Sequence, residues 1–253
     1  MGELANGMER WAGKVAVVTG ASAGIGASIV RELVQNGLVV AGLARRVNKI
    51  EELAESLDGS SGKVYAVECD VSQENSVLAA FAWIRENLGS VDILINNAGI
   101  TKDSSLTDGT LEDWRSVFDV NVLGLCLCTR EAVRMMKEAE REAIVIHISS
   151  LAGEKIPAVP GFNVYPASKR AVTGLAQTLR HELMGTQIRV TSISPGLVET
   201  ELMATNSMFS KEILTSLPIL QPEDIAAAVV YTLSTPAHVQ VQDIILRPVG
   251  ENW

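Results

Sequence analysis

The chain has 253 residues, 47% of them hydrophobic, enough for one large α/β domain with a substantial core. A formal net charge of −9, with lysines and arginines scattered, speaks against nucleic-acid binding and against attraction to an anionic membrane. The three cysteines, Cys69, Cys126 and Cys128, have no zinc-ligand spacing and suit a reducing compartment, so no metal is expected.

The first twelve residues read as a loosely docked arm. The acidic Met1–Asn6 lacks the apolar core of a signal peptide, and no apolar run is long enough to span a membrane. A soluble, cytoplasmic protein is expected. Val15-Ala16-Val17-Val18 is a continuous apolar run, the pattern of a strand buried on both faces. It leads into Thr19-Gly20-Ala21-Ser22-Ala23-Gly24-Ile25-Gly26, and then into a helix with Ile29, Val30, Leu33 and Val34 on one face. Strand, glycine-rich turn and helix in that order form a dinucleotide-binding start. Glycines let the backbone approach a pyrophosphate, and the helix N-terminus offers free N–H groups to that anion. The spacing, Gly20-x3-Gly24-x-Gly26, departs from the usual Gly-x-Gly-x-x-Gly, and a turn built only for tight packing is the alternative.

The second strand, Leu38–Leu43, runs to Ala44-Arg45-Arg46. An acidic residue at this strand end would bond the ribose 2′-hydroxyl of NAD, whereas an arginine accommodates the 2′-phosphate of NADP. No acid is present and two arginines are, so NADP is favoured, with Arg45 the better candidate. Solvated loop arginines are the plainer reading.

A helix over 48–57 precedes a strand over Lys63–Cys69 that closes on Asp70-Val71. A helix through Val77, Leu78, Phe81 and Ile84 then leads to the strand Val91–Ile95 and the polar ending Asn96-Asn97-Ala98-Gly99. A long helical region is expected over 111–138, carrying Asn121, before the strand Ala143–Ile148 ends at Ser149-Ser150. His147 sits inside that apolar strand as a packed residue. Neither His181 nor His238 has a nucleophile partner or metal-ligand spacing.

The helix over 163–184 has Pro166 in its first turn, where proline is tolerated. Tyr165 and Lys169 are four apart and so share one helix face. An ammonium beside a phenol favours the phenolate, which would bring a tyrosine with an ordinary pKa near ~10 toward use at neutral pH. By itself the spacing also fits a solvated helix face. The sixth strand, Ile188–Ile193, leads to Ser194-Pro195-Gly196-Leu197-Val198-Glu199-Thr200. Residues 200–217 carry Leu202, Met203, Met208, Phe209, Ile213 and Leu214, either a lid over an apolar substrate or an ordinary surface helix. A helix from Pro222 to Leu233 and a strand near Val241–Leu246 follow. The expected architecture is a single-domain, Rossmann-like, doubly wound parallel sheet of about seven strands with helices on both faces.

Taken together, Thr19-Gly20-x3-Gly24-x-Gly26, Asn96-Asn97-Ala98-Gly99, Ser150, Tyr165-x3-Lys169 and Pro195-Gly196 resemble the short-chain dehydrogenase/reductase family, in the family's order and over almost the whole chain. A closer likeness is to its NADP-dependent farnesol dehydrogenases and their mammalian relatives. That likeness rests on Met8-Glu9-Arg10-Trp11, Ile50-Glu51-Glu52-Leu53, Ile193–Thr200 and Leu233–His238. The resemblance implies Tyr165 as general acid/base, Lys169 lowering its pKa and bonding the nicotinamide ribose, Ser150 holding the substrate oxygen, and Asn121 anchoring a water. It further implies Gly20, Ser22, Gly24, Ile25, Gly26 and Gly99 around the phosphates, and Arg45 and Arg46 at the 2′-phosphate. Asp70 and Val71 would touch the adenine, Asn97 the nicotinamide-side ribose, and Pro195, Val198 and Thr200 would lie at the carboxamide. Ser150 lies about two residues farther from Tyr165 than in many members, the extra length falling within Glu154–Pro160, so Ser149 is an alternative.

The implied activity is hydride transfer between NADP and a small apolar alcohol or carbonyl, a terpenoid such as farnesol leading. The alternatives are a 17-keto/17-hydroxysteroid or dicarbonyl reductase, or a non-catalytic NADP-binding sensor or scaffold. A homodimer or homotetramer paired through the two long helices is the implied assembly.

Overall fold

The computed structural model describes residues 7–156, 161–203 and 217–251. The strands β1 (Val15–Thr19), β2 (Val39–Ala44), β3 (Lys63–Glu68), β4 (Ile93–Asn96), β5 (Ala143–Ile148), β6 (Ile188–Pro195) and β7 (Asp243–Leu246) form one parallel sheet. Their order is β3-β2-β1-β4-β5-β6-β7. The chain leaves β1 in one direction to build β2 and β3, then returns to the other side with β4. Loops at the carboxyl ends of β1 and β4 therefore diverge and open a crevice.

Largely apolar runs make β1, β4 and β5 fully buried, and β6 is as buried although it carries Arg189, Thr191, Ser192 and Ser194, as strands covered on both faces must be. One face is covered by α1 (Gly24–Gln35), α2 (Val47–Ser56) and α8 (Pro222–Ser234), whose Ile29, Leu33, Ile50, Ile225 and Val229 meet Val18, Ile95 and Ile146. The other face is covered by α3 (Glu74–Leu88), α5 (Leu125–Ala139) and α7 (Tyr165–Glu182), whose Phe81, Ile84, Ala132 and Ala176 meet Val17, Leu94 and Val145. Each such aliphatic side chain contributes roughly 1.5–3 kcal/mol by leaving water, before entropy is charged against it.

One expectation is corrected, and the long helical region expected over 111–138 is present but divided. Residues 7–12 are not loosely docked: Met8 and Trp11 are buried, and Trp11 Nε1 donates to Leu233 O at 2.9 Å. Arg10 Nη2 donates to the same carbonyl at 2.7 Å, so this segment satisfies the open C-terminal end of α8. The helical region over 111–138 comprises α4 (Leu111–Phe118), a π-helical turn (Asp119–Gly124) and α5. Pro166 falls in the first turn of α7, as expected. Most of the expected lid, residues 204–216, and residues 157–160 of the longer loop lie outside the described residues.

Candidate active site

At the carboxyl edge of the sheet is a cavity of about 460 Å³, and its floor is the glycine turn after β1. Gly20 takes φ +67°, and Gly26 lies so close that a Cβ would stand 2.2 Å from Gly20 O and 2.5 Å from Asn97 Nδ2. Only glycine fits there. Asn97 donates from Nδ2 to Thr19 O at 3.0 Å and to Gly20 O at 3.3 Å, so its amide splints the turn from β4. Thr19 Oγ1 accepts from the backbone N–H groups of Asn97 and Ala98, each at 3.0 Å. Helix α1 then starts at Gly24, with Ile25 behind it, and has neither a capping side chain nor an acid in its first turn. Its first N–H groups face the cavity uncovered.

The inner wall comes from β5, α7 and the π-helical turn. Tyr165 and Lys169 are 8% and 5% exposed, and Lys169 Nζ stands 5.8 Å from the Tyr165 ring centroid. Lys169 Nζ donates to Ile148 O at 2.9 Å, and burial pulls its pKa down to about 8. Burial also pushes the Tyr165 phenol up, and its hydrogen bond with Ser150 pulls it back.

Of the two serines Ser149 lines the cavity and Ser150 does not, and their hydroxyls have different partners. Ser150 is half-buried, sits against the Tyr165 phenol, and caps the short helix α6 (Leu151–Glu154) by accepting from Ala152 N at 3.1 Å. Ser149 is 4% exposed and donates to Lys169 O at 3.2 Å, so its hydroxyl is spent on the backbone of α7. Asn121, 1% exposed, accepts from Ile100 N at 2.8 Å and donates to Ile100 O at 2.9 Å and Ser168 Oγ at 3.0 Å. The wide turn places it beside Gly99, where a Cβ would lie 3.4 Å from Asn121 Oδ1 and 3.5 Å from Lys169 Nζ. Irregular π turns recur at functional sites, and the hydrophobic periodicity of this helix carries no sign of one.

The outer rim starts after β2. Arg45 and Arg46 are exposed and both line the cavity, with no carboxylate among its lining from that strand end. Arg46 Nη2 reaches Ser22 Oγ at 3.3 Å and Glu201 Oε2 at 2.8 Å, whereas Arg45 makes no hydrogen bond or ion pair among the described residues. Asp70 and Val71 form the adjoining wall, where Asp70 Oδ1 accepts from Ser72 N and Ser72 Oγ. Thr200 lines the cavity from the loop after β6, but Pro195 and Val198 do not: Pro195 is buried in the strand and the Val198 side chain belongs to the core. Any role of those two is confined to their backbone. His147 is buried against Asn96, with its pKa pushed down to about 3 by burial, so it is a neutral structural residue. Among the described residues no helix is long and apolar enough to cross a membrane.

Sequence reasoning named Ser149 only as an alternative to Ser150 and did not single out Glu154 or Glu201 as contact residues. Each acts through a partner remote in the chain, and only the fold brings the partners together.

Comparison with known proteins agrees with this geometry. The family model for short chain dehydrogenases matches residues 14–210. Farnesol dehydrogenase of Aedes aegypti is 45% identical over 251 residues, covering 97% of this chain and 100% of that protein. Human dehydrogenase/reductase SDR family member 11 is 45% identical over 254 residues, covering 97% and 98%. Among solved structures, an alcohol dehydrogenase from the archaeon Thermococcus sibiricus, complexed with 5-hydroxy-NADP, superposes with a TM-score of 0.83 at 29% identity, covering 94% of this chain and 98% of that one. This chain belongs to the short-chain dehydrogenases, and it is an oxidoreductase of that family.

Proposed function

We propose that the protein is an NADP-dependent alcohol dehydrogenase and carbonyl reductase for small apolar substrates, with terpenoid alcohols such as farnesol the leading class. One observation carries this reading: a single cavity joins the buried Tyr165 and Lys169 at one end to two arginines at the other. The residues present fit a dinucleotide. The turn packs on Asn97 and Ala98 so tightly that Gly20 and Gly26 admit no Cβ, and the uncapped N–H groups of α1, at the cavity's edge, suit the charge of a pyrophosphate. The arginine rim suits a third phosphate.

When bound, the nicotinamide supplies or accepts the hydride. The chain manages the proton and the orientation. Ser150 donates to the substrate oxygen, holding it toward the Tyr165 hydroxyl. Tyr165 gives that oxygen its proton in reduction and removes it in oxidation. Lys169, whose Nζ lies near Gly99, would hold the nicotinamide-side ribose, and Asn121 fixes the neighbouring Ile100 backbone. Asn97 holds the turn, and Thr200 faces it from the other side, since a Cβ on Gly24 would lie 3.1 Å from Thr200 Cγ2. The name of the mosquito relative supports the terpenoid class, and the nucleotide in the archaeal structure supports NADP.

Assembly as a homodimer or homotetramer fits a second cavity of about 480 Å³ between α5 and α7, with Leu125, Val133, Leu175 and Leu179 on its walls. The defining experiment measures turnover of farnesol with NADP⁺ and NAD⁺, and of a 17-ketosteroid with NADPH. Farnesol oxidation preferring NADP⁺ by at least about tenfold is expected, corresponding to about 1.4 kcal/mol. Steroid turnover without farnesol turnover would replace the substrate class, and equal use of both nucleotides would remove the cofactor assignment.

A further inference from the structure

We propose that Glu154 is a positioning residue for this reaction, holding the turn that carries Ser150 against the helix that carries Tyr165. The inference rests on the acid/base reading above.

Helix α6 has four residues, too few to hold its own shape in water. It begins directly after Ser150, so any slip of α6 carries the serine hydroxyl with it. What fixes α6 is a set of contacts from its far end. Glu154 Oε1 accepts from Ser194 Oγ of β6 at 2.9 Å and from Thr173 Oγ1 of α7 at 3.2 Å. Ser194 and Thr173 are 2% and 9% exposed, so both hydroxyls need this acceptor or another protein group. One carboxylate oxygen thereby ties α6 to the strand on one side and to the catalytic helix on the other.

The tie acts close to the reacting groups. Thr173 lies one turn after Lys169 and also meets Lys169 O at 3.3 Å, while Ser149 Oγ donates to that same carbonyl. Gly153 lets the two backbones touch: a Cβ there would lie 2.7 Å from Lys169 O. Arg170 Nη1 closes the arrangement by donating to Gly153 O at 2.8 Å. The position of α6 is thus defined relative to the turn that follows Tyr165. Glu154 itself is 23% exposed at its side chain and takes no part in the apolar core. Its removal costs little packing but frees the Ser150 turn, and displacements well under an ångström are enough to lower a rate by an order of magnitude or more.

The test is steady-state kinetics of the full chain with farnesol and NADP⁺, alongside calorimetric NADP⁺ affinity, for Glu154→Ala, Glu154→Gln and Tyr165→Phe. Glu154→Ala should lower kcat about tenfold while NADP⁺ affinity stays within about twofold. Glu154→Gln keeps an oxygen that accepts both hydroxyl bonds and should recover kcat to within about twofold. Wild-type kcat in Glu154→Ala, or equal impairment of the Ala and Gln variants, would overturn the proposal. Should Glu154→Ala not fold, Ser194→Ala removes one of the two bonds and should lower kcat by about threefold, an unchanged kcat counting against it. An active Tyr165→Phe would instead sink the acid/base reading, whereas an inactive Tyr165→Phe beside a fully active Glu154→Ala would sink this inference alone.

Discussion

The two edges of the sheet bury charge in opposite ways. At the amino edge buried ionisable groups are partnered. Asp92, 1% exposed, accepts from Val15 N at 2.9 Å and from Arg141 Nε at 2.6 Å. Arg189, 6% exposed, bonds Glu142, Thr235 Oγ1 and Val239 O. At the carboxyl edge Lys169 is just as buried, yet it has no carboxylate partner among the described residues and donates to a single carbonyl. A buried charge with partners serves to organise the fold. A buried cation facing an open cavity carries an electrostatic cost that is worth bearing only where a ligand or a proton uses it.

The largest separation between the edges should appear on removing the Tyr165 hydroxyl. Tyr165→Phe should lower kcat by about 10³-fold, or about 4 kcal/mol, with little change in thermal stability. Comparing stopped-flow hydride transfer with a melting curve reads both quantities. Substantial residual activity in a properly folded variant would mean that another group moves the proton.

Asp92→Ala should show the reverse pattern. It strands the Val15 N–H in the interior, while half-exposed Arg141 can turn to water. A stability loss of about 2 kcal/mol is expected, from the orphaned donor and the lost side chain. Urea denaturation measures it, and kcat of the folded fraction should not change. A fall in kcat without a fall in stability would break the distinction between the edges.

How far each edge could be read from sequence follows the same division. The carboxyl edge was legible because its chemistry lies in local strings: the glycine turn, Asn97 after β4, Tyr165 and Lys169 one turn apart. Each string by itself admitted a plainer reading, and it was their joint occurrence in one order that made them legible. The strand order follows from alternating apolar runs and helices with short connections. What stayed hidden depends on distant partners. Nothing near Trp11 says that it meets Leu233, which is why residues 7–12 read as loose. The π-helical turn at Asn121 preserves the apolar spacing of an ordinary helix within a residue or so. Choosing between Ser149 and Ser150 required knowing which hydroxyl the Lys169 carbonyl already claims.

The cost of the unpartnered lysine is itself measurable. Its folded pKa, about 8, is below the unfolded value near ~10.4, so the folded state releases that proton first. The penalty is complete below about pH 8 and fades as pH rises toward ~10.4, which means this group makes the protein more stable with rising pH. Cys69, Cys126 and Cys128, all pushed up by burial, act in the opposite sense from about pH 8.5 upward, and Tyr165 does so from about pH 10. A difference experiment isolates the lysine. Between about pH 7.5 and 9.5, wild type should gain about 2 kcal/mol on Lys169→Met in urea unfolding. Parallel pH profiles would show that the ammonium is better solvated than its burial implies.

The smallest effect lies at the rim, where the charges are exposed and screened. Arg46 already pairs with Glu201, so a 2′-phosphate seeking it must displace a carboxylate. Arg45 makes no such pair and can turn to the phosphate at no loss. Arg45→Ala should therefore weaken NADP⁺ by about tenfold, or about 1.4 kcal/mol, and NAD⁺ by no more than about twofold. Arg46→Ala should cost NADP⁺ less than Arg45→Ala does. Both effects should shrink on raising salt, because screening acts fully on exposed charges. Calorimetric titration of each variant with both nucleotides decides the order. Equal losses for NADP⁺ and NAD⁺ would remove the 2′-phosphate from Arg45, and a larger loss at Arg46 would show that the Glu201 pair opens more easily than its 2.8 Å separation suggests.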